Sequence, residues 1–514
     1  MKKTLIIVGA GLAGLSAALQ AADEECDIKL ISAMPSERAQ SVMAEGGINA
    51  ALNTKGEDDS PEQHYRDTVK AGCGLADPNA VWNMTQAAPD LVRWLHSIGV
   101  QFNTDDLDEI DLRNFGGQKK KRTAFSQSDT GKQLMTAMTD AVRKYEKLGK
   151  IERFAHHSFV TLNLHNNVCC GCVVRDNYSG RTFSLFGNAV IIASGGMHGL
   201  FGDTTGSLAN TGEVTAELFR LGAAMANLEM IQFHPTTVGI GGKRMLISEA
   251  ARGEGGRLFA YRDGKPWYFM EEKYPELGNL MPRDITSREI INVSRSGDVF
   301  LDMTAIPEKV INSKLSGLAD DCMTYLNKDI RKEPIAVYPG IHYFMGGIYV
   351  DECHRTSVKK LYAAGECCSQ YHGANRLGGN SLLGAIYGGK IAAQTACSEL
   401  TSEDHFVDDS EKTTAMKNNC SKKQLNDIML KAMGAVRNEN ALKEGLAQLQ
   451  NMKGSMPLLG QAMIKSALAR KESRGAHWRD DYPQSNDEEF LKTTTARYDG
   501  SQILISFENI PKRR

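Results

Sequence analysis

Residues 4–14 read TLIIVGAGLAG. A short apolar run enters a turn with glycines at Gly9, Gly11 and Gly14, the spacing G-x-G-x-x-G. LSAALQAA follows with helical spacing, and CDIKLIS then closes a strand–helix–strand unit. In that setting each glycine has a physical task. The first permits the tight turn, the second lets backbone approach a pyrophosphate, and the third lets helix and strand pack closely. The helix N-terminus attracts the phosphates. The stretch therefore predicts an α/β, Rossmann-like nucleotide-binding fold. The acid that usually ends the second strand and binds a ribose is replaced by Ser32. A hydroxyl bonds ribose less strongly than a carboxylate does, so this unit alone leaves NAD and FAD both open.

Two later stretches repeat the pattern. NAVIIASGG (188–196) reads as a buried strand ending in a glycine turn. LYAAGE (361–366) reads as a third, and after it come YHGANRLGGNSLLG (371–384) and a helix beginning at SLLGAIYGGKIAAQTA. The segment between lacks this pattern and reads as an insertion. The expected organisation is a first part of the nucleotide-binding domain at 1–230 and an inserted α+β capping domain at 231–340. The nucleotide-binding domain ends at 341–400, and a helical C-terminal domain occupies 401–514. The last assignment rests on KKQLNDIMLKAMGAVRNENALKEGLAQLQNMK, which has helical periodicity.

The chain has 514 residues, 41% hydrophobic and 24% charged, with a formal net charge of −2. That is ordinary globular usage, and it gives no electrostatic case for nucleic acid. No apolar run approaches the ~20 residues of a membrane span. MKKTLIIV superficially resembles a signal peptide, but the apolar run is too short and enters a glycine motif rather than a cleavage site. A cytoplasmic chain is expected. Eleven cysteines show no disulfide-like rhythm. Cys169, Cys170 and Cys172 lie in an alternating, strand-like stretch without a second ligand pair, so they read as strand residues and no metal site is expected. Cys367 and Cys368 stand beside the 371–384 stretch and read as packing residues.

Four more segments concentrate cationic and donor groups among glycines: RAQSVMAEGGINAAL (38–52), QFHPTTV (232–238) with ISEAARGEGG (247–256), MPRDITSRE (281–289), and GIHYFMGGIYVD (340–351). With GAGLAG and HGANRLGGNSL, they occur in an order that resembles the flavoprotein subunits of fumarate reductase and succinate dehydrogenase. L-Aspartate oxidase shares the superfamily. The resemblance covers residues 1–400 and resumes in ARKESRGAHWRDDYP (469–483).

The resemblance implies the following roles. Arg376 clamps a substrate carboxylate, and His372 helps shape that wall. His234, Ser248 and His342 are substrate donors, with Ser248 in a place where threonine is usual. Arg283 is the proton donor. Arginine is a poor acid in water, with a pKa above ~12, but a carbanion-like carbon is very basic. Glu249 and Arg252 form the relay that restores its proton. FAD is held by Gly9, Gly11, Ala13, Gly14, Ser32, Gln40, Ser41, Gly46, Gly47, Glu213, Glu366, Asn380, Ser381 and Leu382. Asn380 and Ser381 open a helix whose amides face the flavin. The implied reaction is reduction of fumarate to succinate by hydride transfer from flavin N5, with the reverse oxidation also open. An iron–sulfur partner subunit is expected, and any membrane anchor would come through other subunits.

The sequence departs from the family at informative places. Relatives with covalent flavin carry a histidine where this chain has Gln40, so FAD bound without a covalent link is expected. Glu213 stands where aspartate is usual. Aspartate oxidase needs a carboxylate for the substrate ammonium in a segment like TREGG; here the matching RNFGG places Phe115 there. An ammonium beside that ring would be costly to bury. The alternatives are therefore aspartate oxidase, a reductase of another enoate, and a non-catalytic flavin-binding subunit.

Overall fold

In the computed structural model, residues 3–24, 26–115, 117–127, 129–400 and 419–514 are described. Gly116 of the RNFGG stretch and residues 401–418, assigned above to the C-terminal domain, lie outside them.

The apolar run at the start is strand β1 (Thr4–Val8), and Leu5, Ile6 and Ile7 are fully buried. It is the centre of a five-stranded sheet, all of whose pairs are parallel. In order across the sheet the strands are Leu361–Ala363, Ala189–Ile192, β1, β2 (Asp27–Ser32) and Ile151–Ala155. The two later apolar stretches thus join the first in one sheet, with Leu5 opposite Ala189 and Val190 opposite Leu361. Strands buried on both faces tolerate continuous apolar runs, which is why these three were readable.

Helix α1 (Leu12–Asp23) follows the glycine turn and packs against the helix Asn380–Glu399. Gly9 has φ +116°, and a Cβ there would meet Ala193 O at 2.1 Å; one on Gly14 would meet Gly9 O at 1.8 Å. The two helices also touch through backbone: a Cβ on Gly389 would lie 2.2 Å from Ala13 O, and the Ser16 hydroxyl donates to Ile386 O at 2.7 Å. Glycine at these positions lets the chain approach that closely.

The insertion begins and ends in one antiparallel pair, Ile231–Ile240 against Tyr338–Phe344. Between them lie a four-stranded sheet (strands Arg257–Arg262, Lys265–Trp267, Val299–Asp302 and Ile335–Ala336) and the helix Arg283–Ser294. A separate cluster of buried side chains running from Ile247 to Val337 gives this segment its own core. Cys169, Cys170 and Cys172 sit on the strand Val168–Asp176 of a three-stranded antiparallel sheet.

The C-terminal part holds the helices Lys422–Ala432, Glu439–Gln450 and Ser455–Ala469, and then differs from a purely helical reading. Lys492–Tyr498 and Ile503–Asn509 form a hairpin that pairs with Met225–Ala226 and extends a second five-stranded sheet. The run Thr493–Thr495 and Ile503–Ile505 carry β-branched residues that suit a half-buried sheet. Among the described residues, no helix is long and apolar enough to cross a membrane.

Arg470 joins these parts. It is fully buried and donates to Glu229 Oε1 (2.7 Å), Glu472 Oε1 (2.8 Å), and Phe490 O, Lys492 O and Thr494 Oγ1 (2.7 Å each). Removing one partner of a buried ion pair strands the other, at a cost of about 3–5 kcal/mol. Arg470→Ala should lower stability by that order in a denaturant titration; an unchanged midpoint would show that the hairpin is held by other contacts.

Candidate active site

One cavity lies at the carboxyl ends of four strands of the parallel sheet. Val8–Ala13, Ser32, Ala193–Gly195 and Ala364–Glu366 all line it. Ligands bind at such ends in open α/β sheets. Of the residues expected to hold a cofactor, Gly9, Gly11, Ala13, Ser32, Gln40, Ser41, Gly46, Gly47, Glu213, Glu366, Ser381 and Leu382 line this cavity. Gly14 stands behind it, packed on Gly9. Asn380 turns its side chain away, donating to Thr68 Oγ1 (2.9 Å) and accepting from Asn49 Nδ2 (2.7 Å). Only its place in the helix's first turn connects it to the cavity.

These residues fit a dinucleotide. A Cβ on Gly11 would meet only Ser41 Oγ at 3.5 Å and then Ala39 at 3.8 Å, so the backbone in front of α1 is open to the cavity. The Ser32 hydroxyl at the end of β2 is buried without a partner. The helix Asn380–Glu399 points its first turn at the same space, with Gly379 at φ +82°. Gln40 is held by the backbone N–H of Ser207, which donates to its side-chain oxygen. The Glu366 carboxylate accepts from Phe344 N at 3.1 Å.

The same cavity is lined by Phe115, His234, Ser248, Glu249, Arg283, His342 and Arg376. Pairing of Ile231–Ile240 with Tyr338–Phe344 sets the His234 and His342 rings with centroids 5.3 Å apart. His342 Nδ1 is 2.8 Å from Thr205 Oγ1. Burial, then Arg283, hold both imidazoles well below their usual pKa. They are neutral hydrogen-bonding groups. Arg283 donates through Nε (2.9 Å) and Nη2 (2.7 Å) to Glu249 Oε2. Burial pushes the Glu249 carboxyl up, but Arg283 and then Arg252 outweigh it and hold it down at about 2. Arg252 lies behind, 3.6 Å from Glu249 Oε1, and donates to Asn279 O at 2.6 Å. Arg376 lies over the Tyr343 ring, 4.5 Å from its centroid, and its buried Nε–H has no partner.

Three residues escaped the sequence reading. Gln232 Oε1 accepts from both Arg283 Nη1 (3.1 Å) and Arg376 Nη2 (3.0 Å), and its amide nitrogen donates to Asn375 Oδ1 and Arg376 O. Its neighbour His234 drew attention within QFHPTTV; an amide carries no charge signature of its own. Tyr343 is the second, and it corrects the reading of His372. The His372 ring is behind Tyr343, with Nε2 3.2 Å from the hydroxyl, and does not line the cavity. The bulkier phenol, supporting Arg376, takes the wall position. The third is Glu45, which lines the cavity beside Ser248. Burial, then Asp321, push its carboxyl up to about 7, against Arg113 and the Ser248 hydroxyl. Phe115 is wedged between Gly46 and Gly378, at 2.9 and 3.0 Å from a Cβ placed on either.

Chemically, Arg283 and Arg376 face the part of the cavity that His234 and His342 line, and one carboxylate, Glu249, is bonded to Arg283. Two guanidiniums against one bonded carboxylate, beside neutral imidazoles, suit an anionic ligand at this end of the cavity.

Known proteins resemble this chain over nearly its whole length. A family described as FAD binding domain matches residues 4–382, and one described as fumarate reductase flavoprotein C-term matches 454–512. The succinate dehydrogenase flavoprotein subunit of Bacillus subtilis is 38% identical, over 99% of this chain and 96% of its own. The L-aspartate oxidase of Pyrococcus furiosus is 32% identical, over 97% and 99%. An E. coli quinol fumarate reductase structure superposes with TM-score 0.85 at 26% identity, covering 99% of this chain and 97% of that one.

Dianion affinity should fall in two steps as pH rises. The first, through about 7, follows ionisation of Glu45, which adds negative charge to the wall. The second, near 10, follows loss of charge from Arg376, whose pKa burial and then Arg283 push down to about 10. Titrating succinate binding against pH checks this. Glu45→Gln should remove the first step alone; a first step that survives that change would belong to another group.

Proposed function

The chain belongs to the flavoprotein family of fumarate reductase and succinate dehydrogenase, and we propose that it reduces fumarate to succinate, with Arg283 as proton donor. It is an FAD-dependent oxidoreductase of that type. The observation that carries the specific reading is the pair Arg283 and Arg376, which share Gln232 Oε1 beside two neutral imidazoles.

FAD would lie along Gly9, Gly11, Ser32 and Glu366 and reach the first turn of Asn380–Glu399. When bound, it supplies the hydride. The residues of this chain do the rest. Arg376, whose Nε–H has no partner in the structure, grips one carboxylate together with His342. Planar guanidinium matches carboxylate geometry. His234 and Ser248 hold the other carboxylate, and their neutrality avoids locking substrate by excess charge. Fixing both ends presents the alkene in one orientation, which is positioning catalysis. Arg283 delivers its proton to the alkene carbon as negative charge develops there. Its two bonds to Glu249, and Arg252 beyond, form the path by which a proton returns. Tyr343 and Phe115 exclude water around the alkene.

Gln40 supports non-covalent attachment, because a carboxamide held by Ser207 N–H offers no nucleophilic ring nitrogen. A flavin without that link is a weaker oxidant, which favours fumarate reduction over succinate oxidation. Phe115 weighs against aspartate, since the ring occupies the place where an ammonium would need a carboxylate. Electrons then come from outside the chain, and an iron–sulfur protein fits that need. Among the described residues there is no cluster suited to a metal ion, and the Bacillus subtilis relative is named as a subunit.

Under anaerobic conditions a reduced dye should be reoxidised by fumarate, and L-aspartate with oxygen should give no turnover. Turnover with aspartate alone would reverse the assignment. Arg283→Ala should retain flavin and lose about 10²–10⁴-fold in rate, the usual worth of a positioned general acid; wild-type activity in that variant would remove Arg283 from its role. Acid precipitation should leave the flavin in the supernatant, and a yellow pellet would disprove non-covalent binding.

A further inference from the structure

Among the buried thiols, two behave differently from their neighbours. Cys169, Cys367 and Cys368 each turn their sulfur to a backbone carbonyl. Cys26 and Cys397 turn theirs to each other, with Sγ atoms 2.8 Å apart, although the two residues are 371 positions apart in sequence. Both are free thiols, 0% and 4% exposed.

Their place in the fold gives the contact meaning. Helix α1 and the helix Asn380–Glu399 both begin at the cavity and run side by side away from it. Cys26 follows the end of the first, and Cys397 lies in the last turn of the second. The sulfurs therefore meet at the shared far end of the two helices whose first turns face the cofactor cavity. We propose that Cys26 and Cys397 are a dithiol that oxidises reversibly to a disulfide, stapling these two helices together.

The surroundings allow the chemistry. The hydrogen bond from the Cys397 thiol lowers the pKa of Cys26; burial, Glu24 and Asp27 oppose it, and the Lys3 ammonium helps. That ammonium is anchored next to the pair, donating to Cys397 O at 3.1 Å. The cover is thin. Ser398 and Glu399 are exposed, and so are Asp23 and Glu24. Glu399 is held by Arg355 and by the Tyr362 hydroxyl at the protein surface. Local opening of this helix end, against those bonds, admits a small oxidant. The Cys26 thiolate attacks one sulfur of a low-molecular-weight disulfide and expels the first small thiol. Cys397, giving up its proton, then attacks the Cys26 sulfur and expels the second. Two protein thiols and one small disulfide become one protein disulfide and two small thiols. The link closes a very long loop, the case in which a disulfide restricts the unfolded chain most.

The experiment uses the full chain loaded with FAD. After treatment with oxidised glutathione, remaining thiols are alkylated under denaturing conditions and the peptides mapped by mass spectrometry. A linked Cys26–Cys397 peptide is expected, absent after dithiothreitol. The melting temperature should rise on oxidation, and flavin release on heating should move up with it. Neither shift should occur in Cys26→Ser. Alkylation of both cysteines after oxidation, or linkage of either to a different cysteine, would overturn the proposal. So would a linked peptide whose formation leaves the melting temperature unchanged. The peptide map on the unaltered chain decides the matter even if Cys26→Ser folds poorly.

Discussion

Two like charges facing one buried cavity repel, and the architecture of this site is organised around managing that repulsion. Gln232 sets its carbonyl oxygen between Arg283 and Arg376, accepting one hydrogen bond from each. Arg376 comes from the nucleotide-binding part and Arg283 from the inserted segment. Gln232 lies on Ile231–Ile240, the strand on which the insertion begins. The distance between the guanidiniums is thus fixed at the junction of the two parts. A shift of the insertion relative to the parallel sheet would strain the Gln232–Arg376 bond, which crosses between the two parts.

Neutralisation is uneven, and the asymmetry separates the two arginines chemically. Arg283 is doubly bonded to Glu249, with Arg252 at the back. Arg376 has an aromatic ring beneath it and a buried donor without a partner. A cation–π contact orients a guanidinium without neutralising it. Arg376 thus stays un-neutralised by any bonded carboxylate, while Arg283 sits in a chain of ion pairs with Glu249 and Arg252. Had His234 or His342 been protonated, the cavity would hold three or four cations and the distinction would be lost. Their burial beside Arg283 prevents it.

Legibility followed locality. The glycine turn and the three apolar strands were readable because each depends on a few adjacent residues and on periodicity, whereas the other cofactor-lining residues were anticipated through resemblance. His234, Ser248, Arg283, His342 and Arg376 come from four separate segments; their gathering in one cavity was anticipated through resemblance, since no local pattern states which strand pairs with which. Gln232 and Tyr343 were missed because their importance arises only from what touches them. His372 shows the converse. It has the right chemistry and the right neighbourhood in sequence, but Tyr343 stands in front of it. The terminal hairpin was hidden by the strong helical signal of 422–453, although its β-branched strands are plain once considered alone.

Two uncharged side chains, Gln40 and Phe115, carry much of the proposed reading of the cavity wall. The cavity wall has a carboxamide at Gln40 where a covalent bond would need an imidazole, and a phenyl ring at Phe115 where an ammonium would need a carboxylate. Neither change disturbs the packing around it. Gln40 is satisfied by Ser207 N–H, and Phe115 fills the gap between Gly46 and Gly378. A charged residue in the place of Phe115 would have to be desolvated in a pocket shaped by two glycines, and without a paired ligand that cost is large. At Phe115 the wall offers an apolar ring and no carboxylate, so a ligand ammonium buried against it would lack a counter-charge.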